Sequence, residues 1–406
     1  MADIVIAALG SHGDVAPLTG VGVRLQQAGH RVTLTAYERF ASLVRNCGIG
    51  FRGVFEPRES SDEADVDVTR ALFQFLAPQG MRSLGTALLT ALQDTPADIL
   101  LLSPFSELAG HPLAEPSAGI RFQPYSATAD FPPATLGGWS AGPTGNRLAS
   151  RAGAELIDRL YGGVTAGFRR DFGLPKVSAR RLREQRNKAG WTVLHGFSPH
   201  IVPRPTGWRP GLEICGYWWP QTDPQWRPPA TLVDFLRAGP PPVYVGFGST
   251  MASAKQSEHI SQLVRSALRR AGMRGIVQAG WAGINVGDET TLTVTEVPHR
   301  WLFPHVAAVV HHCGAGTTAA GLRAGVPTVA VPGLGDQPFW ARRLRDLGLS
   351  ADTVPQRTLT VERLAAAIRT AVTDPGIKIR ARRIADLLDA EDGAAHVVSS
   401  VDRLLG

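Results

Sequence analysis

Residues 309–337 read VVHHCGAGTTAAGLRAGVPTVAVPGLGDQ, which sets out a strand, a glycine turn, a helix and a second strand. The apolar residues 307–310 lead into His311 and His312, and the chain then turns at Gly314 and Gly316. Thr317 and Thr318 open an Ala-rich helix that Gly325 closes, and residues 326–331 form the next buried strand. Small residues in such a turn let backbone N–H groups approach a ligand, and the new helix points its positive end at it. That is how a fold binds phosphate. Asp336 and Gln337 sit on the loop past the second strand, a polar clamp next to an anion cradle. His311 and His312 point to opposite faces if they end a strand. His312, adjacent to the glycines, is therefore the candidate phosphate contact, and His311 reads as a packed core residue.

The run 314–319 also fits a dinucleotide fingerprint, with Asp336 at about the spacing of the ribose-binding acid. Three features oppose a nicotinamide cofactor. Paired histidines precede the glycines, Asp336 lies several residues past its strand, and the unit falls late in the chain. Tight helix–strand packing alone is the plain structural alternative.

The first half opens in a similar way. Residues 4–9 read as a strand, Gly10-Ser11-His12-Gly13-Asp14 as a turn, residues 17–28 as a helix and 31–36 as a strand. Residues 55–70 are acidic and read as a loop, 72–92 carry a helical pattern, and 99–102 a short strand. Residues 122–145 are rich in Pro, Gly and aromatics, with little helical character. Residues 202–229 hold Pro203, Pro205, Trp208, Pro210, Trp218, Trp219, Pro220 and Trp226, and read as a stiff linker. A second half begins with strand 243–247 and a helix over 257–271. Strands at 275–279, 292–295, 307–311 and 327–331 follow, and helices near 361–372, 379–388 and 394–405 end the chain. The expected fold class is α/β, two Rossmann-like doubly wound domains facing across a cleft, with ligand at the strand carboxyl ends. The boundaries read as an N-terminal acceptor-side domain 1–205, a linker 206–229 and a nucleotide-side domain 230–388. A helix at 389–406 is expected to return to the first domain.

A chain of 406 residues suits two domains rather than one core. Its 44% hydrophobic and 19% charged content is that of a soluble globular protein. The net charge of +7 does not by itself mean nucleic acid. The densest basic run, Arg180, Arg181, Arg183, Arg186 and Lys188, carries no stacking aromatics and reads as a solvated helix face. Cys47, Cys215 and Cys313 are odd in number and far apart, forming neither a disulfide framework nor a metal pattern, so a cytoplasmic location is expected. The start reads as a first strand and not a signal peptide, and no apolar run has the length of a membrane span.

Two further fragments carry chemistry. Gly246-Phe247-Gly248-Ser249 ends a buried strand with a hydroxyl suited to a phosphate, although a plain turn looks the same. Asp14 is either the N-cap of the helix holding Pro17 or a carboxylate facing the cleft, able to take a proton from a hydroxyl. His12 is placed to do the same or to hold Asp14.

The segments GSHGDVAPL (10–18), GYWW (216–219), PPPVYVGFGST (240–250), VPHRWLFPHVAAVVHHCGAGTT (297–318) and GDQPFWARR (335–343) occur in this order over nearly the whole chain. Together they resemble family 1 glycosyltransferases of the GT-B fold, in the bacterial branch of sterol glucosyltransferase-like and antibiotic (glycopeptide, macrolide type) enzymes. The resemblance implies an inverting, metal-independent transfer of a hexose, glucose in the first instance, from a UDP- or dTDP-sugar to a hydroxyl. The acceptor would be a lipophilic natural product of polyketide, sterol or flavonoid type. It makes Asp14 the catalytic base with His12 beside it. It assigns Ser249, His312, Gly314, Gly316 and Thr317 to the diphosphate, and Trp281, Val297 and His299 to the nucleobase and ribose. Asp336 and Gln337 would grip the donor sugar. Relatives from plants stack a tryptophan on the base where this chain has Glu296, and the bacterial branch often has glycine where this chain has Cys313. That thiol is expected to be buried and inert. An apolar acceptor wall is expected from among Phe73, Phe75, Met81, Phe105, Phe122, Tyr125, Phe131 and Trp139, with Phe73, Met81, Tyr125 and Trp139 singled out, although most such residues are ordinary core. Expected partners are the nucleotide sugar and this acceptor, with no resident cofactor or metal, no nucleic acid, no stable membrane insertion, and a monomer or homodimer. A sugar-nucleotide epimerase and a non-catalytic sugar-nucleotide-binding partner are the alternatives on this scaffold.

Overall fold

Short, nearly uninterrupted apolar runs such as Asp3–Ala7 (DIVIA) and Ile99–Leu102 (ILLL) are what parallel strands covered on both faces require. The computed structural model describes residues 1–55, 74–110, 117–122, 124, 142–248, 254–280 and 283–406. Its first sheet contains β1 (Asp3–Ala7), β2 (Arg31–Tyr37), β3 (Gly50–Val54), β4 (Ile99–Leu102), β5 (Ser117–Arg121), β6 (Val193–His195) and β7 (Leu212–Ile214). They lie in the order β3-β2-β1-β4-β5-β6-β7, every pair parallel. The second contains β8 (Val243–Gly246), β9 (Gly275–Gln278), β10 (Thr291–Val294), β11 (Ala308–His311), β12 (Thr328–Ala330) and β13 (Ser350–Thr353), in the order β10-β9-β8-β11-β12-β13. Each order reverses once, between β1 and β4 and between β8 and β11, and at such switch points an open α/β sheet forms its ligand crevice.

Helices used below are α1 (His12–Gln27), α2 (Gly142–Asp171), α3 (Ala179–Lys188), α4 (Ala315–Arg323), α5 (Gln337–Asp346) and α6 (Gly393–Leu405). The first-sheet core centres on Ile4, Ile6, Leu18, Leu34, Leu84 and Leu101, and the second on Val243, Val264, Val310, Leu364 and Ile368. A third cluster spans both halves, setting Phe197, Ile201 and Trp208 against Cys313, Phe339 and Trp340. Arg343 reinforces this seam by donating to the Ile201 carbonyl at 3.0 and 2.8 Å. The end of the chain crosses back: Val397 and Val401 of α6 are buried in the first core. There Glu213 accepts from Ser400 Oγ and Arg403 Nη2 at 2.8 and 2.9 Å, and lies 2.8 Å from His396 Nε2.

Several expectations need correction. α1 starts at His12, five residues before the expected start, because Ser11 and not the Pro17 turn begins it. The Pro/Trp-rich segment contains an edge strand, β7, the one sheet position that tolerates flanking prolines. The thirty-residue α2 begins inside a segment that reads as non-helical. Its glycines lower helix propensity, and at Gly167 the room left by the missing Cβ is taken by the mobile end of the Arg82 side chain. The acidic segment near 55–70 and most of 122–145 lie outside the described residues. Among the described residues no helix is long and apolar enough to cross a membrane.

Candidate active site

On the first wall, β1 ends and the chain turns through Gly10, whose φ of +154° favours glycine. A Cβ at Gly10 would also collide with the Asp14 carboxylate, so the turn is shaped around that side chain. Asp14 is the third residue of α1. Its Oδ2 accepts from the Ser11 N–H at 2.7 Å and from the Ser11 hydroxyl at 2.9 Å, closing a capping box. Asp14 is thus not the N-cap; Ser11 is. The missed signal was the S-x-x-D spacing of residues 11–14. Burial raises the Asp14 pKa above the usual carboxylate range, against the lowering effect of the Ser11 hydrogen bonds.

His12 does not hold Asp14. Positions 12 and 14 are two apart on a helix and do not face one another. Instead His12 Nε2 lies 3.1 Å from Glu296 Oε1 on the opposite wall. The Glu296 carboxyl is lowered first by this hydrogen bond.

The second wall forms where β8 and β11 lie side by side, with His311 in register with Gly246. His311 is fully buried, and its Nδ1 accepts the Cys313 N–H at 3.1 Å. The His312 ring sits between Gly248 and Gly314; a Cβ on either would collide with the imidazole. Burial pushes the His312 pKa down to about 4, so the ring is neutral at pH 7. Its Nδ1 is buried without a well-formed hydrogen bond, although the Gly246 backbone lies near enough to oppose that lowering. Cys313 turns the chain with φ of +63°, the left-handed conformation that glycine supplies at little cost. Its thiol is fully buried and its pKa is raised by that burial.

Gly314 is the N-cap of α4, and the first intrahelical bond runs from the Thr318 N–H to the Gly314 carbonyl. The N–H groups of Ala315, Gly316 and Thr317 therefore project from the helix end, where an anion is favoured. Asp336 is not in mid-loop but at the N-cap position of α5, and Gln337 is its first residue. Asp336 Oδ2 accepts the Trp340 indole N–H at 3.0 Å. Burial raises the Asp336 pKa, the Trp340 hydrogen bond opposes the rise, and the charge of Asp14 adds to it. Gln337 Oε1 accepts the Gly333 N–H at 2.8 Å, which leaves its amide nitrogen as a donor. Val297 is buried, while His299 stacks on Phe303 at 4.4 Å and lies 3.3 Å from the Tyr244 hydroxyl. Burial lowers the His299 pKa to about 4.

The acceptor-wall expectation fails at Met81, which is 2% exposed in the first core. A methionine at helical spacing on an amphipathic helix is core by default. Phe75 and Phe105 pack edge to face at 5.5 Å against the same core. Ser249, Trp281, Phe73, Tyr125, Phe131 and Trp139 lie outside the described residues. Among the described residues, no group of three or more His, Cys, Asp or Glu is arranged to hold a metal ion.

Comparison with known proteins adds the following. The family model "Erythromycin biosynthesis protein CIII-like, C-terminal domain" matches residues 283–404. The chain is 35% identical to an O-mycaminosyltylonolide 6-deoxyallosyltransferase of Streptomyces fradiae, over 97% of this chain and 95% of that protein. It is 30% identical to a sterol 3-beta-glucosyltransferase of Arabidopsis thaliana, over 98% of this chain and 64% of that longer protein. The crystal structure of the glycosyltransferase VinC in complex with dTDP superposes with a TM-score of 0.68 at 17% identity, covering 99% of each chain.

Proposed function

This chain belongs to the GT-B glycosyltransferase family that includes macrolide- and sterol-directed enzymes, and from that premise we propose an inverting hexosyl transfer to a lipophilic hydroxyl compound. The donor is a UDP- or dTDP-sugar, with glucose as the first sugar to test. The observation that carries the reading is the pairing across one cleft of Asp14, its carboxyl pKa raised, with an anion cradle at His312 and the start of α4. In the proposed reaction the acceptor oxygen attacks the anomeric carbon while its proton passes to Asp14 Oδ. The bond from that carbon to the diphosphate oxygen breaks, and the configuration inverts. A neutral His312 donates one ring N–H to the departing diphosphate, and the N–H groups of Gly316 and Thr317 add to it. Asp336 and Gln337 orient the sugar hydroxyls. Charge on the leaving group is met by these donors, so EDTA should leave turnover intact; a loss that magnesium restores would overturn this part.

The deciding experiment offers UDP-glucose and dTDP-glucose with a panel of lipophilic alcohols and phenols, and reads products by mass spectrometry. Glycosylated products that vanish in Asp14→Asn, with nucleotide binding retained, support the reading. Acceptor-independent conversion of the donor sugar would point to an epimerase, and donor binding without turnover to a non-catalytic partner.

A further inference from the structure

Residues 142–188, the α2–α3 hairpin, carry nine arginines and two lysines against four acidic residues, a surplus of seven. The whole chain has a net charge of +7, so every other residue together sums to zero. Three of the four acids are occupied locally: Asp158 by Arg183, Glu184 by Arg180, and Asp171 by Arg82 and Arg170. Arg186 faces Glu107 of the body, and apart from it, Arg169 and Arg183 the basic residues of the hairpin are exposed.

The same hairpin exposes apolar side chains. Leu148, Leu156 and Leu160 are 61%, 65% and 44% exposed, and with Ala152 they follow one another at four-residue spacing as a ridge along α2. Arg147, Arg151 and Arg159 lie one residue earlier, on the adjoining ridge, and all three are exposed. A groove of about 390 Å³ runs between the two helices, lined in part by Arg159, Lys176 and Arg180, with Glu155 and the paired Asp158. Leucines edged by arginines on one helix are the pattern of an interfacial helix. Nucleic acid fits less well, since the basic residues of α3 have no aromatic between them on which a base could stack.

We propose that the α2–α3 hairpin seats this protein on an anionic lipid bilayer. Leu148, Leu156 and Leu160 enter the headgroup boundary while the flanking arginines meet lipid phosphates. This contact is peripheral and does not depend on the sugar-transfer reading.

The test is co-sedimentation of the intact protein with vesicles of phosphatidylcholine alone and of phosphatidylcholine mixed with phosphatidylglycerol. Binding to the mixed vesicles should exceed binding to the neutral ones by at least about tenfold and fall as salt is raised. Replacing Arg151 and Arg159 together with Gln should weaken partitioning roughly thirtyfold. Leu156→Ser with Leu160→Ser should also weaken it, at an unchanged melting temperature. If that pair unfolds, Leu148→Ser alone serves in its place. Equal binding to both vesicle types, binding to neither, variants that bind like the wild type, or preference for duplex DNA over the mixed vesicles would each overturn the proposal.

Discussion

His12 Nε2 and Glu296 Oε1, 3.1 Å apart, join the first residue of α1 to the loop that follows β10, across the cleft. The pair is exposed, so it contributes about 0.2–1 kcal/mol and acts as a clasp more than a support. Glu296 has a lowered folded pKa. Its contribution is present above the unfolded value near 4.3 and is lost as pH falls through the folded one. Glu296→Gln should therefore lower the melting temperature slightly at pH 7 and converge with the wild type in acid. Differential scanning fluorimetry across that range decides it.

Asp14 behaves in the opposite sense. Its folded pKa is raised, so folding binds its proton more tightly, and the cost of the buried charge appears as pH rises through the folded value. Asp14→Asn should keep the melting temperature at neutral pH equal or higher while transfer falls by about 10²–10⁴. A variant that loses activity only because it unfolds would contradict this account.

Trp340 links the seam between the halves to the proposed sugar clamp, since its ring packs against Phe197 and its N–H holds Asp336. Trp340→Phe preserves most of the packing and removes the donor. Donor KM should rise roughly tenfold, as expected for one lost charge-assisted hydrogen bond of about 1.5 kcal/mol, with kcat less affected. An unchanged KM would show that the indole does not position Asp336.

Gly314→Ala should imitate the loss of His312 without touching it, because the new methyl would displace the imidazole. Gly314 has extended dihedrals that any residue adopts, φ of −62° and ψ of 144°, so backbone strain does not confuse the result. Both Gly314→Ala and His312→Ala should reduce kcat by roughly 10–10³ if the ring stabilises the leaving group. Full activity in Gly314→Ala would remove His312 from that role.

Glu213 has its carboxyl pulled down to about 2, first by His396 and then by Ser400 and Arg403, against the cost of burial. The stabilisation is present above about pH 4.3 and disappears as pH falls towards 2. Glu213→Gln should cost roughly 2–3 kcal/mol at pH 7 and loosen α6 first, which hydrogen exchange of that helix would register.

Legibility in the sequence followed local geometry. The turn at His312–Gly316 and the strands around it were readable because glycine spacing and apolar runs are imposed by backbone sterics and burial alone. Asp14 is readable as a candidate, and Ser11 stands at the capping-box distance from it. Strands such as Val193–His195 and Leu212–Ile214 are three residues long and too short to show a period. Helix α2 hid behind its glycines. The Glu296–His12 contact joins residues 284 positions apart, and no local pattern announces it. Met81 was misplaced because core and pocket residues share one composition.

The polypeptide passes between its two halves twice, once after β7 and once before α6, and the passes touch. A Cβ on Gly393 would lie 2.5 Å from the Tyr217 carbonyl oxygen, and Glu391 accepts the Ser198 hydroxyl at 2.5 Å. Two touching segments tether the halves along a line and not at a single point. Any opening of the cleft would turn about these crossings, and closing would return Asp14 and His312 to the same facing positions.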